Sequence, residues 1–341
     1  MKKKYQNAFF VFGIIILVFM TSQLNFSEVA KGLRHAGIWF VAVVILWAFL
    51  YLFNTSAWWI IIRSQEKKNS SEDDCEDKKT QHPALSFWHL YKLTISGFAL
   101  NDTTPSGLMG GEPYRIMSLK PYIGIERATS SVLLYAMTHI FSHLWFWLLS
   151  VFLYISCRTL TLPMVIMLTC IAIFCCLNIW FFMSGYRKGL AMRILHAVKH
   201  IPGLRRKMTT FICKHHHQLN KIDRQIAALH RQNHKTFLSA ILLELCCRIA
   251  SALEIFFILL VLMPSVNFID CILILAFTSL LANLLFFLPL QLGGREGGFL
   301  LSATALSMSA SDGIFIALIV RLRELLWVAI GLILIKLEKK K

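Results

Sequence analysis

LPLQLGGREGGF, residues 288–299, interrupts one of the most apolar parts of a 341-residue chain. Arg295 and Glu296 stand between two Gly-Gly pairs, with Pro289 just upstream. Proline stops a helix, and Gly293 and Gly294 form a flexible turn, so the stretch reads as a break between two helices with Arg295 and Glu296 at the start of the second. Gly297 and Gly298 then keep side chains off the backbone, which suits a tight helix contact.

The setting of this break decides the fold. Of all residues 57% are hydrophobic and only 16% charged, and the mean hydropathy is +0.62. Such a composition lies outside the soluble globular range. Apolar runs at 9–20, 38–62, 130–155, 162–183, 237–262, 269–290 and 313–335 are mostly long enough to cross a bilayer, which takes about 20 residues. The expected class is all-α: a polytopic membrane helical bundle forming a single integral membrane domain over 1–341. The basic start and apolar run at the N-terminus lack a small-x-small cleavage site, so an uncleaved first span is expected.

Charge sets the expected threading. Between Arg187 and Lys235 lie twelve Lys or Arg and one acidic residue, Asp223. Basic loops mark the cytoplasmic side, which accounts for a net charge of +17 without nucleic acid. The basic loop 185–236 has an apolar period suited to helices lying on a membrane surface. The loop 63–86 mixes both signs and reads as mobile and polar. Placing both termini and both loops in the cytoplasm requires 87–118 and 269–310 to be re-entrant helical hairpins, entering from opposite sides. That leaves about six full spans; the alternative is eight spans. Non-helical backbone at membrane depth must be satisfied by protein or by water.

The first hairpin carries GFALNDTTPSGLMGGEPYRI, residues 97–116. Asn101, Asp102, Thr103 and Thr104 break the helical pattern, and Pro105 and Gly107 are strong breakers. Gly110 and Gly111 allow close backbone approach, Pro113 opens a new helix in its first turn, and Arg115 follows Glu112 by three residues, on the same face. Four charges at membrane depth, Glu112, Arg115, Arg295 and Glu296, would cost on the order of 10 kcal/mol if left unpaired. They must pair or meet water, and arginine is well matched to phosphate. A polar interior for an anionic amphiphile is the expectation.

At these residues the chain resembles a known family. GLMGGEPYRI (107–116), LPLQLGGREGGF and ALIVRLRELLWVAIGLILI (317–335) look like the motifs of the lysylphosphatidylglycerol synthase transmembrane, or flippase-like, domain. The resemblance runs from about residue 8 to 336. It implies a membrane bundle that moves lipid between leaflets in a bacterial inner membrane. It also implies that Glu112, Arg115 and Glu296 fall at family motif positions, with Arg321 and Glu324 in the downstream arginine-bearing helix. Bifunctional members continue into a soluble aminoacyl-transfer domain; here the expectation is the transport half alone, and no enzyme.

Other constellations were weighed beside these. Glu244 and Arg248 are spaced to pair on one helix face, whereas Glu254 lies about 280° from Glu244 around the same helix. His139 and His143 have a spacing that could hold a metal but no neighbouring carboxylate in sequence, so polar packing is preferred. Histidines in 185–236 suit a surface helix rather than a metal site. The nine cysteines form no disulfide or zinc pattern and read as packing residues. No nucleotide, cofactor or nucleophile motif occurs. The expected partners are membrane lipids, with lipid or envelope biosynthesis enzymes as further candidates and no nucleic acid. Transport is favoured over two alternatives: an enzyme acting on a lipid-linked substrate, and a non-transporting scaffold.

Overall fold

The computed structural model describes residues 26–72, 84–103, 110–188, 234–284 and 294–337, together with positions 11, 15 and 18. All regular structure among the described residues is helical. In chain order the helices are α1 (Phe26–Ala36), α2 (Ile38–Glu72), α3 (Phe87–Thr103), α4 (Gly111–Ile123), α5 (Ile125–Cys157), α6 (Leu162–Lys188), α7 (His234–Leu262), α8 (Phe268–Leu284), α9 (Gly294–Ala305) and α10 (Ala310–Leu337).

Among the described residues four helices are long and apolar enough to cross a membrane: Ile38–Gln65, Ile125–Cys157, Leu162–Phe181 and Lys235–Leu262. The shortest, at 20 residues, extends about 30 Å, the thickness of the hydrocarbon layer. Helix α10 is also long, with 28 residues, but Arg321, Arg323 and Glu324 sit near its middle. Helix α2 continues to Glu72, into the segment expected to be loop from residue 63. Gln, Glu and Lys are good helix formers, and they prolong a helix that the apolar run has already nucleated. The first span and most of the 185–236 loop lie outside the described residues.

Side-chain contacts give a ruler along α5. From its start, Ser130 meets Gln65, Tyr135 stacks on Trp58, His139 touches Phe98, Trp147 bonds Ser279, and Arg158 just past its end pairs with Asp270. On that ruler both expected hairpins appear. Helix α3 starts beside the end of α2, where Phe87 meets Trp59, and runs inward to the level of His139. Helix α4 returns, so that Tyr122 packs on His89, and it joins the start of α5 through Gly124 alone. Gly124 adopts φ +78°, a left-handed conformation that glycine takes without strain. The first hairpin therefore enters and leaves at one end of the bundle.

The second hairpin uses the other end. Helix α8 begins at the Arg158–Asp270 pair, 2.5 Å long, and descends to Ser279 beside Trp147. Helix α9 runs back against it, with Gly298 on Thr278, and α10 starts near α1, where Leu318 covers Gly32. Helices of 17 and 12 residues reach about 26 and 18 Å, short of a crossing. Helix α6 packs one face on the bundle through Leu168 and Cys175, while Leu162, Ile166, Leu177 and Trp180 on the rest are exposed, as a lipid-facing surface requires.

Candidate functional site

The residues singled out at the two breaks form two groups. In the first, Gly97 and Gly111 let the arms of the hairpin touch: a Cβ on Gly111 would overlap the Gly97 carbonyl, and one on Gly97 would strike the Arg115 guanidinium. Asn101 reaches across the break. Its Oδ1 accepts the Gly111 N–H at 2.7 Å, satisfying a donor that α4 leaves open at its start, and its Nδ2 donates to Glu112 Oε1 at 3.1 Å. Glu112 lies 3.7 Å from Arg115.

Arg115 is 2% exposed and its guanidinium carbon lies 4.7 Å from the Phe98 ring centre, 5.4 Å from Tyr135 and 5.6 Å from Trp58. Aromatic faces offer a buried cation partial compensation for lost water. Compensation is incomplete: Glu112 Oε2 and Arg115 Nε are buried without a hydrogen-bond partner. Helix α4 thus starts with a carboxylate in its first turn, where the helix dipole favours negative charge.

The second group joins the start of α9 to the middle of α10. Arg295 is ion-paired with Glu324. Arg321 bridges two acids, Glu296 at 3.3 Å and Glu324 at 3.6 Å. Arg295 and Glu296 keep about a third of their side-chain surface accessible, 32% and 39%, whereas Arg321 and Glu324 keep 11% and 7%. Both hairpins pack on α10: Ala99 of α3 lies where a Cβ on Gly331 would sit, and Arg295 and Glu296 of α9 pair with Glu324 and Arg321.

Behind this group stands a contact that local spacing did not reveal. Arg323 donates to both oxygens of Glu254 on α7, at 2.8 and 3.1 Å, and covers the Trp47 ring at 3.9 Å. Trp47 Nε1 adds a third donor to Glu254 at 2.9 Å. The available signal was that α7 and α10 each bury one more charge than their own neighbours neutralise.

Two further expectations are filled in. Glu244 and Arg248, spaced to pair on one helix face, both also reach α5. Glu244 Oε2 lies 2.8 Å from His139 Nδ1, while Arg248 donates to Ser142 Oγ at 2.7 Å and to the His139 carbonyl at 3.2 Å. The carboxylate that His139 lacked in sequence therefore comes from α7. Of the glycine pair 297–298, only Gly298 makes close contact, with Thr278 Cγ2 3.0 Å from where its Cβ would sit; a Cβ on Gly297 would meet nothing within 4 Å. One helical step rotates the chain by 100°, so adjacent glycines cannot both face α8. Gly110 caps α4, and Gly294 opens α9, where it is buried. Pro105, Gly107, Pro289 and Gly293 lie outside the described residues. No set of three or more metal-ligand side chains occurs among the described residues.

A family model described as the lysylphosphatidylglycerol synthase TM region matches residues 8–331. No curated protein matches the chain.

Proposed function

Because the chain belongs to the lysylphosphatidylglycerol synthase TM region family, whose function concerns membrane lipid, we propose that it moves an anionic or lipid-linked amphiphile between the leaflets of a bacterial inner membrane, with both termini cytoplasmic. One observation carries this reading: two helical hairpins enter the bundle from opposite ends, each carries an arginine with a carboxylate partner, and both pack on α10. Broken helices meeting at the midplane are a common way to build a transport site.

The chemistry follows from the pairing. Arg295 and Arg321 have acidic partners within the protein, so no bare cation is buried while the site is empty. A headgroup phosphate would exchange with Glu296 or Glu324 for the same guanidinium donors, and guanidinium binds either oxyanion in a two-pronged geometry. Arg295 and Glu296 are the accessible members, and entry at their edge leaves acyl tails in the lipid. Glu112 and Arg115, with unfilled polar atoms of their own, offer a second stop at the tip of the other hairpin. The activity proposed is movement rather than chemical change.

The test uses purified protein in liposomes carrying labelled phosphatidylglycerol, with outer-leaflet label destroyed by an impermeant reductant. Wild type is expected to expose inner-leaflet label, and Arg295→Ala and Glu112→Gln to slow exposure by about tenfold or more, the loss of one charge-assisted contact. Equal rates in wild type and both variants would remove the proposal.

A further inference from the structure

Helix α7 buries two glutamates that are held in chemically different ways. Glu254 is bound by the two-pronged Arg323 and by Trp47. A guanidinium does not give up its proton in a protein and an indole N–H only donates, so Glu254 faces donors alone. Glu244, 1% exposed, faces an imidazole instead, with His139 Nδ1 at 2.8 Å and 24% of the His139 side chain still accessible. Imidazole is the side chain that exchanges protons near neutral pH. One turn further along α5, His143 sets its ring edge-on to His139 at 5.4 Å, and its Nδ1 is buried without a hydrogen-bond partner. Trp147 follows, against His143 and bonded to Ser279 of the second hairpin. Phe98 of the first hairpin touches His139 on the opposite side. A line of packed rings with two imidazoles at its middle therefore joins the two hairpins.

We propose that the His139–Glu244 pair is a proton-binding site, with His143 as its relay, through which one proton is coupled to the movement of each anionic headgroup. This rests on the transport reading given above. With Glu244 ionised, the proton between the two groups sits on His139 Nδ1 and is donated to Oε2. A second proton, taken from the aqueous phase on one side, enters at His139 Nε2 and makes an imidazolium–carboxylate pair; its release on the other side restores the starting state. No bond besides N–H forms or breaks. On α7 the neighbouring charge is Arg248, which spends its Nε on Ser142 and one Nη on the His139 carbonyl, and Cys247 lies close by. Tyr135 on α5 and Arg115 on α4 face the pair from the first hairpin's side, and Arg295 on α9 acts on His143 from the second. Arg115, Arg248 and Arg295 are the cations around the site, and an anion arriving among them offsets the charge of an added proton. That is the coupling. An anion and a proton travelling together carry no net charge against the membrane potential.

The experiment imposes a one-unit pH gradient on liposomes containing the protein and labelled phosphatidylglycerol, with the membrane potential clamped. Phosphatidylglycerol does not titrate near neutrality, so any leaflet asymmetry of label reports coupling. Wild type is expected to drive a ratio above one, bounded at about tenfold for one proton per lipid, and Glu244→Gln and His139→Asn to return it to one. A wild-type ratio of one while label moves overturns the proposal, as does a variant that keeps the asymmetry. If no label moves in wild type, the transport reading fails separately. Infrared difference spectra of purified protein between acid and neutral pH then decide this site: carboxyl or imidazole bands lost in either variant sustain it, and bands unchanged in both overturn it.

Discussion

Glu254 and Arg323 illustrate what a single buried charge demands of its surroundings. Removing one partner leaves the other uncompensated, which costs about 3–5 kcal/mol, whereas replacing both with apolar side chains is often neutral or stabilising. Glu254→Ala should accordingly lower the melting temperature in detergent markedly, and the double variant Glu254→Leu with Arg323→Met should recover most of the loss. A double variant as unstable as the single one would mean that the pair is held for a reason other than charge balance. At this scale the sequence was legible where partners are close along the chain. Glu112 with Arg115, and Arg321 with Glu324, follow from three-residue spacing on a helix. It was opaque where partners are distant. Glu254 and Arg323 are 69 residues apart and His139 and Glu244 are 105 apart. Helix periodicity specifies a face, not the helix that will cover it.

At the scale of elements, hydropathy located the described long helices to within about five residues, except that α2 runs on from 62 to Glu72, because the requirement to satisfy backbone groups in lipid leaves little freedom. Of the residues expected to break α3, Asn101, Asp102 and Thr103 instead form its last turn, and Pro105 and Gly107 lie outside the described residues. The direction in which each glycine points was not legible, since it depends on which neighbour packs there. That difference is measurable. Gly111→Ala should destabilise the protein by about 1–3 kcal/mol, because the new methyl group overlaps the Gly97 carbonyl. Gly297→Ala, in a helix with open space around it, should be neutral or stabilising by up to about 1 kcal/mol. Melting temperatures of the two variants in detergent, compared with wild type, give the sign of each effect; equal shifts would mean that the first hairpin is not closed by its glycines.

For the whole molecule, the arrangement to test is two hairpins entering from opposite faces. Charge counting along the chain led to it, and the ladder of contacts along α5 places both hairpins accordingly within the bundle. In a chain with its native cysteines replaced, single cysteines at Ser86 and Lys120, at the two ends of the first hairpin, should react with an impermeant maleimide from one side of the membrane. Cysteines at Ser265 and Ser311 should react from the other. All four positions are exposed. Labelling of Ser86→Cys and Lys120→Cys from opposite sides would replace the hairpin with a single ordinary span. Orientation relative to the cytoplasm follows from the same labelling, with the basic segment 185–236 expected inside.

The single-residue joint at Gly124 has a mechanical consequence. Helix α4, with 13 residues, is a lever about 20 Å long, fixed at one end to α5 and carrying Glu112 and Arg115 at the other. A pivot of about 15° at the joint sweeps the far end through roughly 5 Å, close to one helical turn. A rotation too small to disturb the frame of long helices would thus be enough to transfer a charged group from one set of neighbours to the next.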